Sequence, residues 1–107
     1  MTSGVVFAGE LSQSAAEVMY TPGANVLGVV NVNYCNRGSN PVSVRLGYAG
    51  SATTSASYYY EYGAIVAANG GVLERTRLIV SGTQSLIGEC ETASRLDVIV
   101  TSMEDTL

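Results

Sequence analysis

The side chains that most often move protons or hold metals are missing, for the 107-residue chain contains neither histidine nor lysine. Without histidine it lacks the commonest general base near neutrality and the commonest metal ligand. Without lysine it has no amine for a Schiff base and no ammonium for a phosphate. Acid–base chemistry would fall to carboxylates. Glu89 and Glu91 stand two residues apart in a strand-like segment, a spacing that directs both to one face. Such a pair either holds a hard cation such as calcium through its oxygens or makes an ordinary solvated strand face. Two cysteines, Cys35 and Cys90, cannot build a metal site alone. Cys90 continues the face of Leu86 and Gly88 and reads as a buried thiol. Cys35 shares a polar face with Asn31 and Asn33, either exposed or covered by a subunit. A disulfide between the two needs adjacent strands, and reduced thiols are the default where nothing signals secretion. With no nucleophile–base pair and no cofactor fingerprint, neither catalysis nor a cofactor is expected.

The remaining candidates are suited to contact. Alternation in Glu74-Arg75-Thr76-Arg77 places Arg75 and Arg77 on one face, opposite Glu74. Those arginines meet either an acidic patch on a partner chain or Glu89 and Glu91 on a neighbouring strand. In Tyr58-Tyr59-Tyr60-Glu61-Tyr62 the same rule sets Tyr58, Tyr60 and Tyr62 on one face and Tyr59 with Glu61 on the other. Aromatic ladders of this kind fill a core or interface, and they also stack sugars. Arg37, between Asn36 and Gly38, is expected at the tip of a hairpin with left-handed backbone. There it either anchors a partner or sits in solvent.

These residues need positioning, and the pattern that supplies it has period two. Val30, Val32 and Tyr34 alternate with Asn31 and Asn33; Val42, Val44, Leu46 and Tyr48 alternate with Ser43, Arg45 and Gly47; Leu96, Val98 and Val100 form a third series. Such alternation marks half-buried antiparallel strands. The expected strands are Val5–Leu11, Ala15–Tyr20, Val26–Asn36, Val42–Tyr48, Ser57–Tyr62, Gly71–Val80, Ser85–Glu91 and Leu96–Met103. Eight strands at this spacing, separated by Gly- and Asn-rich turns, predict an all-β antiparallel sandwich or jelly roll in one domain spanning residues 1–107. Ser14–Met19 is helix-compatible but reads as strand in these surroundings. Ala49–Ser57 and Gly63–Asn69 read as small-residue loops able to lie on a neighbour, and Met1–Gly4 as a flexible tip.

Composition favours association. Only 13% of residues are charged, and all five basic residues are arginine. A soluble monomer ordinarily carries roughly a quarter charged residues, many of them lysine. Interfaces favour Arg and Tyr over Lys, and this chain has seven tyrosines. A net charge of −4 without a basic run argues against nucleic acid as partner. No apolar run reaches the roughly 18 residues of a membrane span. The first residues have no basic stretch and apolar run of a secretory signal, so a cytoplasmic product is expected.

Several segments together resemble a group of small structural proteins of tailed-bacteriophage virions. They are Val18-Met19-Tyr20-Thr21-Pro22-Gly23, Val29–Gly38, Val42–Leu46, Tyr58–Tyr62 and Val72-Leu73-Glu74-Arg75-Thr76, followed by a valine-rich closing strand. The order and spacing carry the resemblance, from about Ala8 to Glu104. The chain departs from the group at Tyr20–Gly23, which lacks the Val and Ala usually flanking the proline, and at Gly63, where Asp is common. The resemblance implies a virion component made in the host bacterial cytoplasm. It would be a capsid decoration (cement) protein on the major capsid protein, or a neck, tail or fibre accessory. Such a protein would be a homo-oligomer, a trimer being one form. The interface residues expected are Arg37, Arg75, Arg77, Tyr58, Tyr59 and Tyr60. A glycan-binding receptor-recognition module is the alternative.

Overall fold

A computed structural model describes residues 3–11, 16–50, 56–91 and 95–106. Within them lie eight strands: β1 (Ser3–Glu10), β2 (Glu17–Tyr20), β3 (Val26–Asn36), β4 (Val42–Ala49), β5 (Tyr58–Val66), β6 (Gly71–Ser81), β7 (Ser85–Cys90) and β8 (Leu96–Thr106). They form two antiparallel four-stranded sheets, ordered β1-β8-β3-β6 and β2-β7-β4-β5. The chain is therefore an all-β sandwich. First pairs with last, second with seventh, third with sixth and fourth with fifth. This is one long hairpin wound into two sheets, the connectivity of a jelly roll.

The alternating residues explain the layering. In β3, Val30, Val32 and Tyr34 are buried while Val29 and Asn31 are exposed; in β8, Leu96, Val98 and Val100 are buried. Val42, Val44 and Leu46 of β4 close the core from the other sheet, with Leu86 and Cys90 of β7 and Leu11 just after β1. Each fully buried Val or Leu contributes roughly 1.5–3 kcal/mol of transfer free energy. Leu46→Ala would leave a cavity between the sheets.

Three expectations change. First, Asn36–Gly38 is no hairpin, because β3 and β4 belong to different sheets. The segment is an arch, and the left-handed residues lie elsewhere, at Asn25, Asn69 and Arg77 among the non-glycines. Second, β5 runs on through Gly63, Ala64 and Ile65 to Val66, where a loop was expected. Gly63 adopts φ 84°, absorbs one extra residue as a bulge, and lets Ala64 and Val66 pair with Val44 and Val42. Third, Ser3 and Gly4 are no free tip; they pair with Met103 and Ser102. Met1, Thr2, Ala15 and most of the Ala49–Ser57 loop lie outside the described residues.

Candidate interaction surfaces

Arg37 folds back on its own chain. Its Nε donates to Asp97 Oδ2 at 2.6 Å, and its Nη2 donates to Asp97 Oδ1 at 3.2 Å and Glu10 Oε2 at 2.7 Å. One guanidinium thus ties the β3–β4 arch to β1 and β8, and the Asp97 hydrogen bond leads the causes that raise its pKa. The preceding Asn36 is wholly buried, and its side-chain amide donates to Asn40 O at 2.8 Å and Val66 O at 3.2 Å. Its Oδ1 accepts from Gly38 N and its carbonyl accepts from Gly70 N. The Asn-Arg-Gly element is thus a staple between two arches.

Arg75 and Arg77 do not share a face. Between Val30↔Leu78 and Val32↔Arg75, the single residue Asn31 faces both Thr76 and Arg77. Arg77 is the left-handed member of this bulge, φ 61°, and its backbone N–H donates to Asn31 Oδ1 at 3.1 Å. The inserted residue reverses the alternation. Arg75 turns to the sandwich edge and pairs with Glu61 of β5, joining the two sheets. Arg77 is exposed on the outer face instead and makes no ion pair among the described residues.

Glu89 and Glu91 meet neither of these arginines. Both are held by Arg45, whose Nη1 lies 3.4 Å from Glu89 Oε1 and whose Nη2 lies 2.8 Å from Glu91 Oε1. Nothing in the local pattern around Arg45, an outward residue of β4, announces this role. Arg45 also lies 4.4 Å over the ring of Tyr62, a cation–π contact. Among the described residues no group of three His, Cys, Asp or Glu side chains could hold a metal ion. Cys90 is buried, with its thiol pushed up by desolvation, and Cys35 is half-buried; the two are not joined in a disulfide.

The tyrosine strand is also re-sorted by bulges, at Tyr60 and Gly63. Tyr58 and Tyr60 pack on Tyr48, with ring centroids at 5.8 and 6.1 Å. Tyr62 leaves that face and meets Tyr59 edge-on at 4.9 Å. Glu61, expected beside Tyr59, turns to Arg75. All four tyrosines of β5 stay exposed, so they form no part of the core.

A second surface was missed. The outer face of the β1-β8-β3-β6 sheet exposes Val5, Val29, Val72, Ile79, Ile99 and Met103. Met103, Val29 and Ile79 are cross-strand neighbours, forming a continuous apolar row. A groove of about 540 Å³ crosses this face between Val29, Asn31, Thr76, Arg77, Thr101 and Met103. The signal was present in Val98-Ile99-Val100 and Leu78-Ile79-Val80, where both phases of the alternation are apolar. One phase fills the core, and the other sets Ile99 and Ile79 on the outer face. The sequence matches no protein-family model and no curated protein.

Proposed function

We propose that this chain is a non-catalytic structural subunit of a tailed-bacteriophage virion, a capsid decoration or cement protein that binds the major capsid protein and stabilises the shell. The observation that carries the proposal is the exposed apolar row of Met103, Val29 and Ile79 on the outer face of the β1-β8-β3-β6 sheet, with Val5, Val72 and Ile99 on the same face. Contiguous apolar surface on a small domain marks an interaction site, and here it accompanies a low charge content and arginine as the sole cation. Jelly rolls recur in viral capsid and lectin domains. That support is an analogy of fold, and the ordered sequence segments add the virion setting. Repetition of one modest contact over many symmetric copies would reinforce a shell without a strong single site. Purified protein should co-sediment with empty capsids and raise the temperature at which they open. Binding to tails or necks alone would move the protein to an accessory role there, and binding to no particle would refute the reading.

A second reading is favoured by one cluster. Tyr59 and Tyr62 are exposed beside Arg45 and Glu91, aromatic faces next to polar groups. A sugar ring stacks on such a face while its hydroxyls bond to the charged groups. Binding to a glycan array lost on Tyr59→Ala would establish it, and an array without signal would remove it.

A further inference from the structure

We propose, resting on the reading of this chain as an assembly subunit, that the outer face of the β1-β8-β3-β6 sheet docks on the same face of a second copy, with Arg77 of each chain meeting Glu74 of the other. Two routes to self-association are open to a sandwich, through sheet edges or through sheet faces. The edges are blunted. Every edge strand carries an inserted residue: Val6 in β1, Met19 in β2, Tyr60 and Gly63 in β5, and one of Thr76–Arg77 in β6. The central pairings β3·β8 and β4·β7 carry none. Bulges twist an edge away from a straight partner, a known protection against edge-to-edge pairing. That leaves the faces.

Of the two outer faces, that of the β2-β7-β4-β5 sheet has its charged groups paired internally, Arg45 lying between Glu89 and Glu91. The β1-β8-β3-β6 face is different. Its groups Arg77 and Glu74 are both exposed, and neither makes an ion pair among the described residues. They share the face only because the bulge inserts a residue between them. At a spacing of three in a regular strand they would point oppositely. Cross-strand rows on this face run through Ile79, Val29 and Met103; then Arg77, Asn31 and Thr101; then Glu74, Asn33 and Ile99; then Val72, Cys35 and Asp97. A two-fold axis lying in the interface, perpendicular to the strands and between Asn31 and Asn33, sets each row on its counterpart. Arg77 then lies over Glu74, Ile79 over Val72 and Asn31 over Asn33, each contact occurring twice as an isologous interface requires. Four strands about 4.8 Å apart and some ten residues long offer roughly 600–700 Å² a side, near the ~800 Å² of a standard interface.

The test is charge exchange read by sedimentation at micromolar concentration, with circular dichroism as the folding control. Wild type should be dimeric or of a higher order built from dimers. Arg77→Glu and Glu74→Arg should each weaken association at least about tenfold, since a like-charge pair then appears twice per interface. The double exchange should restore it. If either exchange disturbs folding, Thr101→Arg at the centre of the face replaces it and should give a monomer. An oligomer unmoved by all of these overturns the proposed face while leaving the assembly reading intact. A wild-type monomer overturns the face as well, and capsid co-sedimentation then decides the assembly reading separately.

Discussion

β3 pairs with β8, and β4 with β7, without a break in register, whereas β1, β2, β5 and β6 each carry at least one inserted residue. The central strands have neighbours on both sides, so an insertion would leave two ladders with unmatched groups. An edge strand has one neighbour and can bulge toward solvent at lower cost. The difference also sorts the chemistry. Central strands supply the buried alternation, and the bulged edges aim Arg77, Glu61 and Tyr62 where a regular strand would not.

The largest difference between central and edge strands is expected in the core. Leu46→Ala in β4 should cost about 2–5 kcal/mol, against less than about 0.5 kcal/mol for Ile65→Ala on the exposed face of β5. Denaturant midpoints compare the two, and similar losses would show that β5 is not a solvent-facing edge. Next comes Gly28 in β3, where a Cβ would strike the Tyr20 ring and hydroxyl and lie 2.9 Å from Ser102 Oγ. Gly28→Ala should therefore cost about 1–3 kcal/mol by the same measurement.

The Tyr20 hydroxyl donates to Glu104 Oε2 at 2.5 Å. Burial first, then Glu104, pushes its pKa up to about 12. A folded-state pKa above the unfolded value of 10.0 stabilises below pH 10, and that contribution is lost as pH rises from 10 to about 12. Alkaline titration of the unfolding midpoint should show this loss, and Tyr20→Phe should diminish it. Part of it should persist, because burial also raises the pKa of Tyr34. A last, small effect is of opposite sign. Arg77 is left-handed without being glycine, so Arg77→Gly should stabilise the isolated fold by up to about 1 kcal/mol. A loss of thermal stability there would show that the side chain, not the backbone, secures the bulge.

Much of the fold was legible. Asn36 and Asn31 show where legibility stopped. The end of β3 at Asn36 could be read from the Gly- and Pro-containing stretch beyond it, but not that its amide would be buried against Val66 of another strand. Asn31 was correctly read as outward, yet nothing in its neighbourhood announced that it would face two residues of β6. The same holds for the intramolecular partnerships of Arg37, Arg75 and the Glu89–Glu91 pair. Each joins residues far apart in sequence, and the partner depends on which strands end up adjacent.

By itself the sequence determined the all-β class, the number of strands, and the inward set Val30, Val32, Tyr34, Val42, Val44, Leu46, Leu96, Val98 and Val100. Those follow from local alternation, because a pleated strand must send successive side chains to opposite sides. Only the tertiary structure decided the sheet order, the bulges, and therefore which charges and tyrosines share a face. A one-residue insertion inverts every orientation beyond it, and whether the chain accepts one is set by a partner strand elsewhere in the sequence.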